Sequence, residues 1–138
     1  VLPRHLPVLE RFLDRHPDLQ VVIDHAAKPR IGGDIDGWAD ALRAIGRRAN
    51  TFCKLSGLAS EAGPAWTAAV LAPYVDVLLE CFGPHRLMWG SDWPVLNEVG
   101  DYAAWLGAAE QLTARLSAAE KAHIFAGTAA RFYGIEVT

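Results

Sequence analysis

Five residues that could carry out chemistry lie at or just after the ends of three apolar runs in the sequence. In chain order they are His25, Lys54, Ser56, Asp92 and Trp93. A histidine can bind a metal ion or exchange a proton near neutral pH. An aspartate can bind a metal ion or take a proton from a bound water molecule. The set therefore predicts a site for acid–base or metal-assisted chemistry.

The alternation of side chains along a strand indicates which of these residues share a face. His25 lies on the same face as Ile23, so Asp24 is expected to point away from it. The same alternation allows the side chains of Lys54 and Asp92 to lie on the face of the sheet occupied by His25. Ligands bind at the carboxyl ends of parallel strands in α/β folds, so we expect these side chains to converge there.

Four of these residues also have a purely structural interpretation. His25 could cap a helix or satisfy the core, and Asp92 could be a turn residue or a helix cap. Lys54 could extend its ammonium group to the rim of the fold, and Trp93 could pack in the core. The other histidines, expected at the surface, are His5, His16, His85 and His123. No H-x-H or H-E-x-x-H pair occurs, so spacing alone is a weak indication of a metal site.

Apolar spacing predicts the elements that position these residues. Strands are expected at 19–25, 51–57 and 86–92, and helices at 5–17, 38–48, 64–82 and 102–116. Residues 26–37 and 58–63 are expected to be loops. Pro64 is expected to begin the third helix as its first residue. Pro73 is expected to kink that helix or to divide it in two.

Two helix signals follow near the end of the sequence. Ser117 and Glu120 have the spacing of a capping box, which predicts a short helix through Phe125. A last helical turn, 128–133, is expected to end at Gly134, because glycine is common just after a helix.

The alternation of strands and helices predicts an α/β protein with parallel strands and right-handed crossovers. Three such units fit either a small doubly wound sheet or an arc of a (β/α)8 barrel, whose complete form typically needs about 250 residues. An arc leaves both edge strands unpaired. We therefore expect either further barrel strands or self-association, for example as a homodimer.

The composition excludes several classes of partner. The sequence has 138 residues, 51% of them hydrophobic, and a formal net charge of −3. This charge argues against nucleic acid or an anionic membrane surface as the main partner. No apolar run approaches the roughly 20 residues of a membrane span, and no signal peptide is recognisable. Two cysteines do not make a disulfide framework, and we expect a cytoplasmic protein with reduced thiols.

Four sequence motifs together resemble the amidohydrolase-related family of metal-dependent hydrolases, in its sugar-lactone hydrolase branch. They are VVIDHAAKP (21–29), CKLSGL (53–58), LMWGSDWPV (87–95) and IFAGTAARFYGI (124–135). The resemblance implies that residues 1–138 are the C-terminal part of a TIM barrel. The three strands would then be the sixth, seventh and eighth of the barrel, followed by C-terminal helices.

The resemblance also implies roles for the residues. Asp92 would contact a divalent metal ion, zinc or manganese, where one is bound, and would activate the hydrolytic water. His25 would position the water or the substrate carbonyl group, as a second metal ligand where needed. Lys54, with Ser56 and Trp93, would contact a small-molecule substrate, a lactone or a carboxylate-bearing compound. The family's first-strand H-x-H pair is absent, so the metal ligand set is incomplete.

Because of this incomplete set, we expect the chain by itself to be a weak enzyme or inactive. Two alternatives remain open at this point. One is a half-barrel without activity that self-associates or binds small ligands. The other is a decarboxylase on the same scaffold, which would use the same residues of the sixth and eighth strands.

Overall fold

Seven helices and three strands alternate along residues 1–136, the part of the chain that this computed structural model describes. In chain order they are α1 (Leu6–Arg15), β1 (Val21–Ile23), α2 (Asp36–Gly46), β2 (Thr51–Leu55), α3 (Leu58–Ala62), α4 (Ala68–Phe82), β3 (Leu87–Trp89), α5 (Tyr102–Leu112), α6 (Ala118–Ala122) and α7 (Thr128–Tyr133). Short 3₁₀ turns occupy Pro3–His5, Asp24–Ala27 and Val95–Glu98, and a π-helical turn occupies His123–Gly127.

The three strands form one parallel sheet in the order β1–β2–β3. Ile23 is paired with Cys53, and Cys53 is paired with Leu87, so the carboxyl ends of the strands lie at one edge. This confirms the predicted α/β class with parallel strands and flanking helices. The strands are shorter than predicted. In particular, β1 ends at Ile23 because the backbone becomes left-handed at His25.

The hydrophobic core lies between the sheet and the helices packed against it, chiefly α1, α2 and α4. Its fully buried aliphatic side chains include Leu6, Leu13, Ile23, Leu42, Ile45, Leu55, Leu71, Val75, Leu78 and Leu87. Gly46 allows α2 and α4 to approach closely, since a Cβ there would lie 2.6 Å from the carbonyl oxygen of Cys81. Cys53 and Cys81 are buried and free, and burial raises the pKa of the Cys81 thiol to about 11.

Arg86, just before β3, ties the elements together at the amino edge of the sheet. One guanidinium nitrogen donates to the carbonyl oxygens of Gly46 (2.8 Å), Arg48 (2.9 Å) and Thr51 (3.1 Å). The other donates to the carbonyl oxygen of Cys81 at 3.0 Å. Since these oxygens belong to the end of α2, the start of β2 and α4, this one side chain holds three elements in place.

The predicted loop at 58–63 is wrong, because Leu58–Ala62 forms helix α3. Leu58 and Ala59 are buried in the core, and Gly57 begins the helix in a left-handed conformation. A helix of little more than one turn shows too few apolar positions for a period to be recognised. The helix matters because it follows β2 directly, at the edge where the candidate site lies.

Two predicted helix boundaries are also wrong. The helix expected from Pro64 begins at Ala68, where the side chain of Thr67 accepts a hydrogen bond from the Val70 amide. Pro73 lies inside this single helix, in its second turn, so of the two outcomes predicted for it the division into two helices does not occur. Helix α5 ends at residue 112 and not at 116.

The C-terminal signals are confirmed in part. The capping box of Ser117 and Glu120 is present, and Gly134 ends α7 in a left-handed conformation.

His123 is not the surface residue predicted. It is half-buried, its ring lies 4.3 Å from that of His85, and its Nδ1 is buried without a hydrogen-bond partner among the described residues. Within residues 1–136, no helix has the length and apolar character needed to cross a membrane.

Candidate active site

A cavity of about 390 Å³ opens at the carboxyl edge of the sheet. All five residues singled out from the sequence line it: His25, Lys54, Ser56, Asp92 and Trp93. A larger hollow of about 610 Å³ lies at the opposite edge. There Arg48 pairs with Asp14, and the Asn50 amide donates to the carbonyl oxygens of the segment before β1. We place the candidate site at the carboxyl edge, because the residues singled out from the sequence line the cavity there and α/β folds bind ligands at this edge.

A left-handed turn after β1 presents His25 to this cavity. Four successive non-glycine residues, His25–Lys28, have positive φ angles between 49° and 60°, a conformation that costs about 1–2 kcal/mol per residue. The Trp38 indole donates to the carbonyl oxygen of Ala26 at 2.8 Å, and the Lys28 amide donates to that of His25 at 2.7 Å. Strain of this kind persists where the surroundings enforce it, and it is concentrated at functional sites.

Both nitrogens of the His25 ring face polar groups of the cavity. Nδ1 lies 2.8 Å from the hydroxyl of Ser56. Nε2 lies 3.6 Å from Oδ1 of Asp92 and 3.8 Å from Oδ2 of Asp24. The sequence prediction that His25 and Asp92 converge agrees with this placement. Ser56, predicted as a substrate contact, is placed here as the partner of His25.

Asp92 follows β3 and also has a left-handed backbone, with φ at 59°. Its side chain is 12% exposed, and the hydroxyl of Ser60 donates to Oδ2 at 2.6 Å. Oδ1 is thereby left facing Nε2 of His25. Sequence reasoning missed Ser60 because it lies in α3, which had been taken for a loop. No sequence period marks Ser60, because α3 has only five residues.

Asp24 does not point away from the site as strand alternation predicts. The strand ends one residue earlier, so the alternation no longer applies. Oδ1 of Asp24 lies 2.8 Å from Nζ of Lys54. Burial opposes ionisation of Asp24, but the hydrogen bond and charge of Lys54 and the charge of His25 outweigh it, and its pKa is lowered. Burial likewise opposes the charge on Lys54, but Asp24 and Tyr133 outweigh it, and its pKa is raised. The two residues form an ion pair at the rim.

Trp93 lies at the mouth of the cavity with 67% of its surface exposed. The alternative interpretation, that it packs in the core, is therefore wrong. Tyr133 of α7 lies on the same cavity, and its ring centroid is 5.9 Å from Nζ of Lys54. The mouth thus combines two aromatic side chains with the Asp24–Lys54 ion pair.

Gly57 is required for the position of His25, which leads to a testable expectation. Its φ is +71°, and a Cβ added there would lie 2.7 Å from Cβ of His25. Gly57→Ala should therefore lower the free energy of unfolding by about 1–3 kcal/mol, measured by urea denaturation. Gly32→Ala is the matched control, since Gly32 has φ +80° and open space around it. Equal losses in the two variants would contradict a steric contact with His25.

A family model described as Amidohydrolase matches residues 1–135. An L-fucono-1,5-lactonase of Burkholderia ambifaria is 46% identical over 141 residues, covering 99% of this chain and 49% of the relative. A second L-fucono-1,5-lactonase, from Burkholderia multivorans, is 38% identical over 149 residues, covering 98% of this chain and 50% of the relative.

A solved structure has the same fold. It is an amidohydrolase of Burkholderia multivorans with bound zinc, 37% identical to this chain, with a TM-score of 0.88. The match covers 99% of this chain and 51% of that one. The chain thus spans about half the length of the relatives that it matches.

Proposed function

Because the chain belongs to the amidohydrolase family, we propose that it carries the residues with which a hydrolase opens a lactone, a cyclic ester. The observation that carries this proposal is the pair formed by Asp92 Oδ1 and His25 Nε2, 3.6 Å apart in the cavity at the carboxyl edge. The two L-fucono-1,5-lactonases similar to this chain support it.

Asp92 acts as the base in the proposed reaction. Oδ1 takes a proton from a water molecule while the water oxygen attacks the carbonyl carbon of the lactone. The carbon–oxygen double bond becomes a single bond, and its oxygen carries the negative charge. When the carbonyl group re-forms, the bond to the ring oxygen breaks, and that oxygen receives the proton from Asp92. The product is the open-chain hydroxy acid, which ionises in water.

His25 stabilises the negative oxygen or orients the attacking water. The first role needs a proton on Nε2 so that it can donate to the oxyanion. Nδ1 then accepts a hydrogen bond from the hydroxyl of Ser56. The second role, as an acceptor from water, needs the proton on Nδ1, which then donates to the same hydroxyl. A serine hydroxyl can donate or accept, so Ser56 supports His25 in either tautomer.

Lys54 and Trp93 hold the substrate in this proposal. The ammonium group of Lys54 has three donors, and Asp24 occupies one of them. The remaining donors can reach polar substituents of a lactone ring, and the exposed face of Trp93 can cover the ring. The Asp24–Lys54 pair supplies both an acceptor and donors, which suits a substrate with hydroxyl groups.

The donor atoms of the cavity fit part of a zinc site. Nε2 of His25 and Oδ1 of Asp92 face each other at 3.6 Å, less than the roughly 4 Å that one zinc–nitrogen and one zinc–oxygen bond span together. Among residues 1–136, however, no group of three His, Cys, Asp or Glu side chains is arranged to hold a metal ion. Bound there, a metal ion would polarise the carbonyl group or acidify the water.

A metal titration tests these two ligands independently of catalysis. We expect zinc, titrated calorimetrically into the protein, to bind more than about tenfold more weakly to Asp92→Asn and His25→Ala, since even an outer-shell partner of a metal is worth that much. His16→Ala is the control, because His16 is exposed and lies before β1. An unchanged affinity in both site variants would place any bound zinc elsewhere.

The proposed function is tested by lactone hydrolysis with the full-length protein that carries this sequence. L-Fucono-1,5-lactone and other neutral sugar lactones are the substrates, and the acid released is followed in weak buffer. Ring opening faster than the spontaneous reaction supports the proposal. A rate equal to the spontaneous one across these lactones would refute it.

A further inference from the structure

We propose that Ser60 is a positioning residue, which orients the carboxylate of Asp92 so that Oδ1 faces the attacking water. This inference rests on the proposed function, in which Asp92 is the base. The hydroxyl of Ser60 donates to Oδ2 of Asp92 at 2.6 Å. Hydrogen bonds to a carboxylate at this distance are charge-assisted and are stronger than neutral ones.

The orientation of the Asp92 carboxylate needs such a contact. The terminal torsion of an aspartate is broad and nearly two-fold, so the side chain does not fix its own oxygens. Ser60 is the one hydrogen-bond donor to this carboxylate within the described part of the chain. The other neighbour, Nε2 of His25, is 3.6 Å from Oδ1, too far for a hydrogen bond. The contact with Ser60 therefore decides which oxygen is free.

Helix α3 is built to carry this hydroxyl. Ser56, just before α3, and Ser60, within it, bind the two groups that face each other across the cavity, His25 and Asp92. Ser56 contacts Nδ1 of His25, the ring nitrogen that points away from Asp92. Ser60 contacts Oδ2 of Asp92, the carboxylate oxygen that points away from His25. The first segment after β2 thus orients both members of the proposed catalytic pair.

A further contact anchors the helix against the turn after β1. Glu61, next to Ser60, forms an ion pair with Lys28 at 2.9 Å. The Glu61 amide also donates to the carbonyl oxygen of Gly57 at 3.0 Å. Glu61 thus joins α3 to the turn after β1, and Ser60 joins it to Asp92 after β3. Ser60 is therefore held in place from both sides.

The kinetic test compares Ser60→Ala with Ser60→Thr in the full-length protein. Ser60→Ala should lower kcat for lactone opening by about 10- to 100-fold with little change in KM, as expected for misplacement of a catalytic group. Ser60→Thr keeps the hydroxyl and should restore most of the rate. Ser117→Ala is the matched control, since it removes a helix-capping hydroxyl of α6 and should leave kcat unchanged.

A spectroscopic test does not depend on turnover. In protein labelled with ¹³C-aspartate, the carboxyl carbon signal of Asp92 is identified by its loss in Asp92→Asn. At one fixed pH, Ser60→Ala should move this signal, whereas Ser60→Thr and Ser117→Ala should leave it in place.

The outcomes separate this inference from the proposed function. If Asp92→Asn abolishes hydrolysis while Ser60→Ala keeps the full rate, the positioning role is overturned and the proposed function stands. If the wild-type protein opens no lactone, the proposed function fails, and the carbon signal decides the role of Ser60. A signal unmoved by Ser60→Ala overturns the role in every case.

Discussion

Asp92→Asn is expected to lower kcat for lactone hydrolysis by about 10²- to 10⁴-fold, the range typical of losing a positioned general base. Asparagine has nearly the same shape as aspartate, and its amide oxygen can still accept the hydrogen bond from Ser60. The amide cannot take a proton from water at neutral pH, however. The measurement is the initial rate of acid release at saturating lactone, with the unfolding transition recorded to show that the variant is folded.

The control for this experiment changes a carboxylate to an amide elsewhere. Asp101 caps helix α5 by accepting a hydrogen bond from the Ala104 amide at 2.8 Å. Asparagine caps helices about as well as aspartate, so Asp101→Asn should keep both the fold and the rate. Equal rates for wild type and Asp92→Asn would end the role of Asp92 as the base.

Arg86→Met is expected to lower the free energy of unfolding by about 3 kcal/mol or more, because buried acceptors that lose a charged donor each cost about 1–3 kcal/mol. Methionine replaces much of the aliphatic part of the side chain. The carbonyl oxygens of Gly46, Arg48, Thr51 and Cys81 would nevertheless lose their shared donor. The measurement is the midpoint and slope of urea unfolding.

Arg115→Met is the matched control for this loss. Arg115 pairs with Asp76 at 2.7 Å, but both side chains are more than half exposed, and such surface pairs contribute about 0–1 kcal/mol. A clear difference between the two arginine variants is therefore expected. Similar losses would show that Arg86 does not hold the amino edge of the sheet together.

The sequence predicted that the polar residues of the candidate site lie at one edge of the sheet because its signals are local. His25, Lys54 and Asp92 are polar residues that interrupt apolar runs, and parallel strands bring such positions to one edge of a sheet. The four ordered motifs indicated the family, and the family model that matches residues 1–135 confirms it. The α/β class and the three parallel strands followed from the same alternation.

The features that sequence reasoning missed depend on backbone conformations that the residue types do not indicate. The turn at 25–28 is left-handed without a glycine, so strand alternation was carried one residue too far and Asp24 was misplaced. Helix α3 is too short to show a period, so Ser60 was overlooked. His123 lies half-buried in a π-helical turn, an element that the apolar periods of α-helices and strands do not predict.

The left-handed turn at 25–28 also bears on how this protein would respond to selection for thermal stability. Glycine at Ala26 or Ala27 would remove about 1–2 kcal/mol of backbone strain. The greater freedom of the unfolded chain would return about 0.4–1 kcal/mol of this, and loss of the buried methyl group would return about 0.8 kcal/mol more. Such variants would therefore have nearly the same stability, while the loop that presents His25 would be less constrained. Selection for heat resistance is thus expected to leave this turn unchanged, because relief of its strain brings little stability.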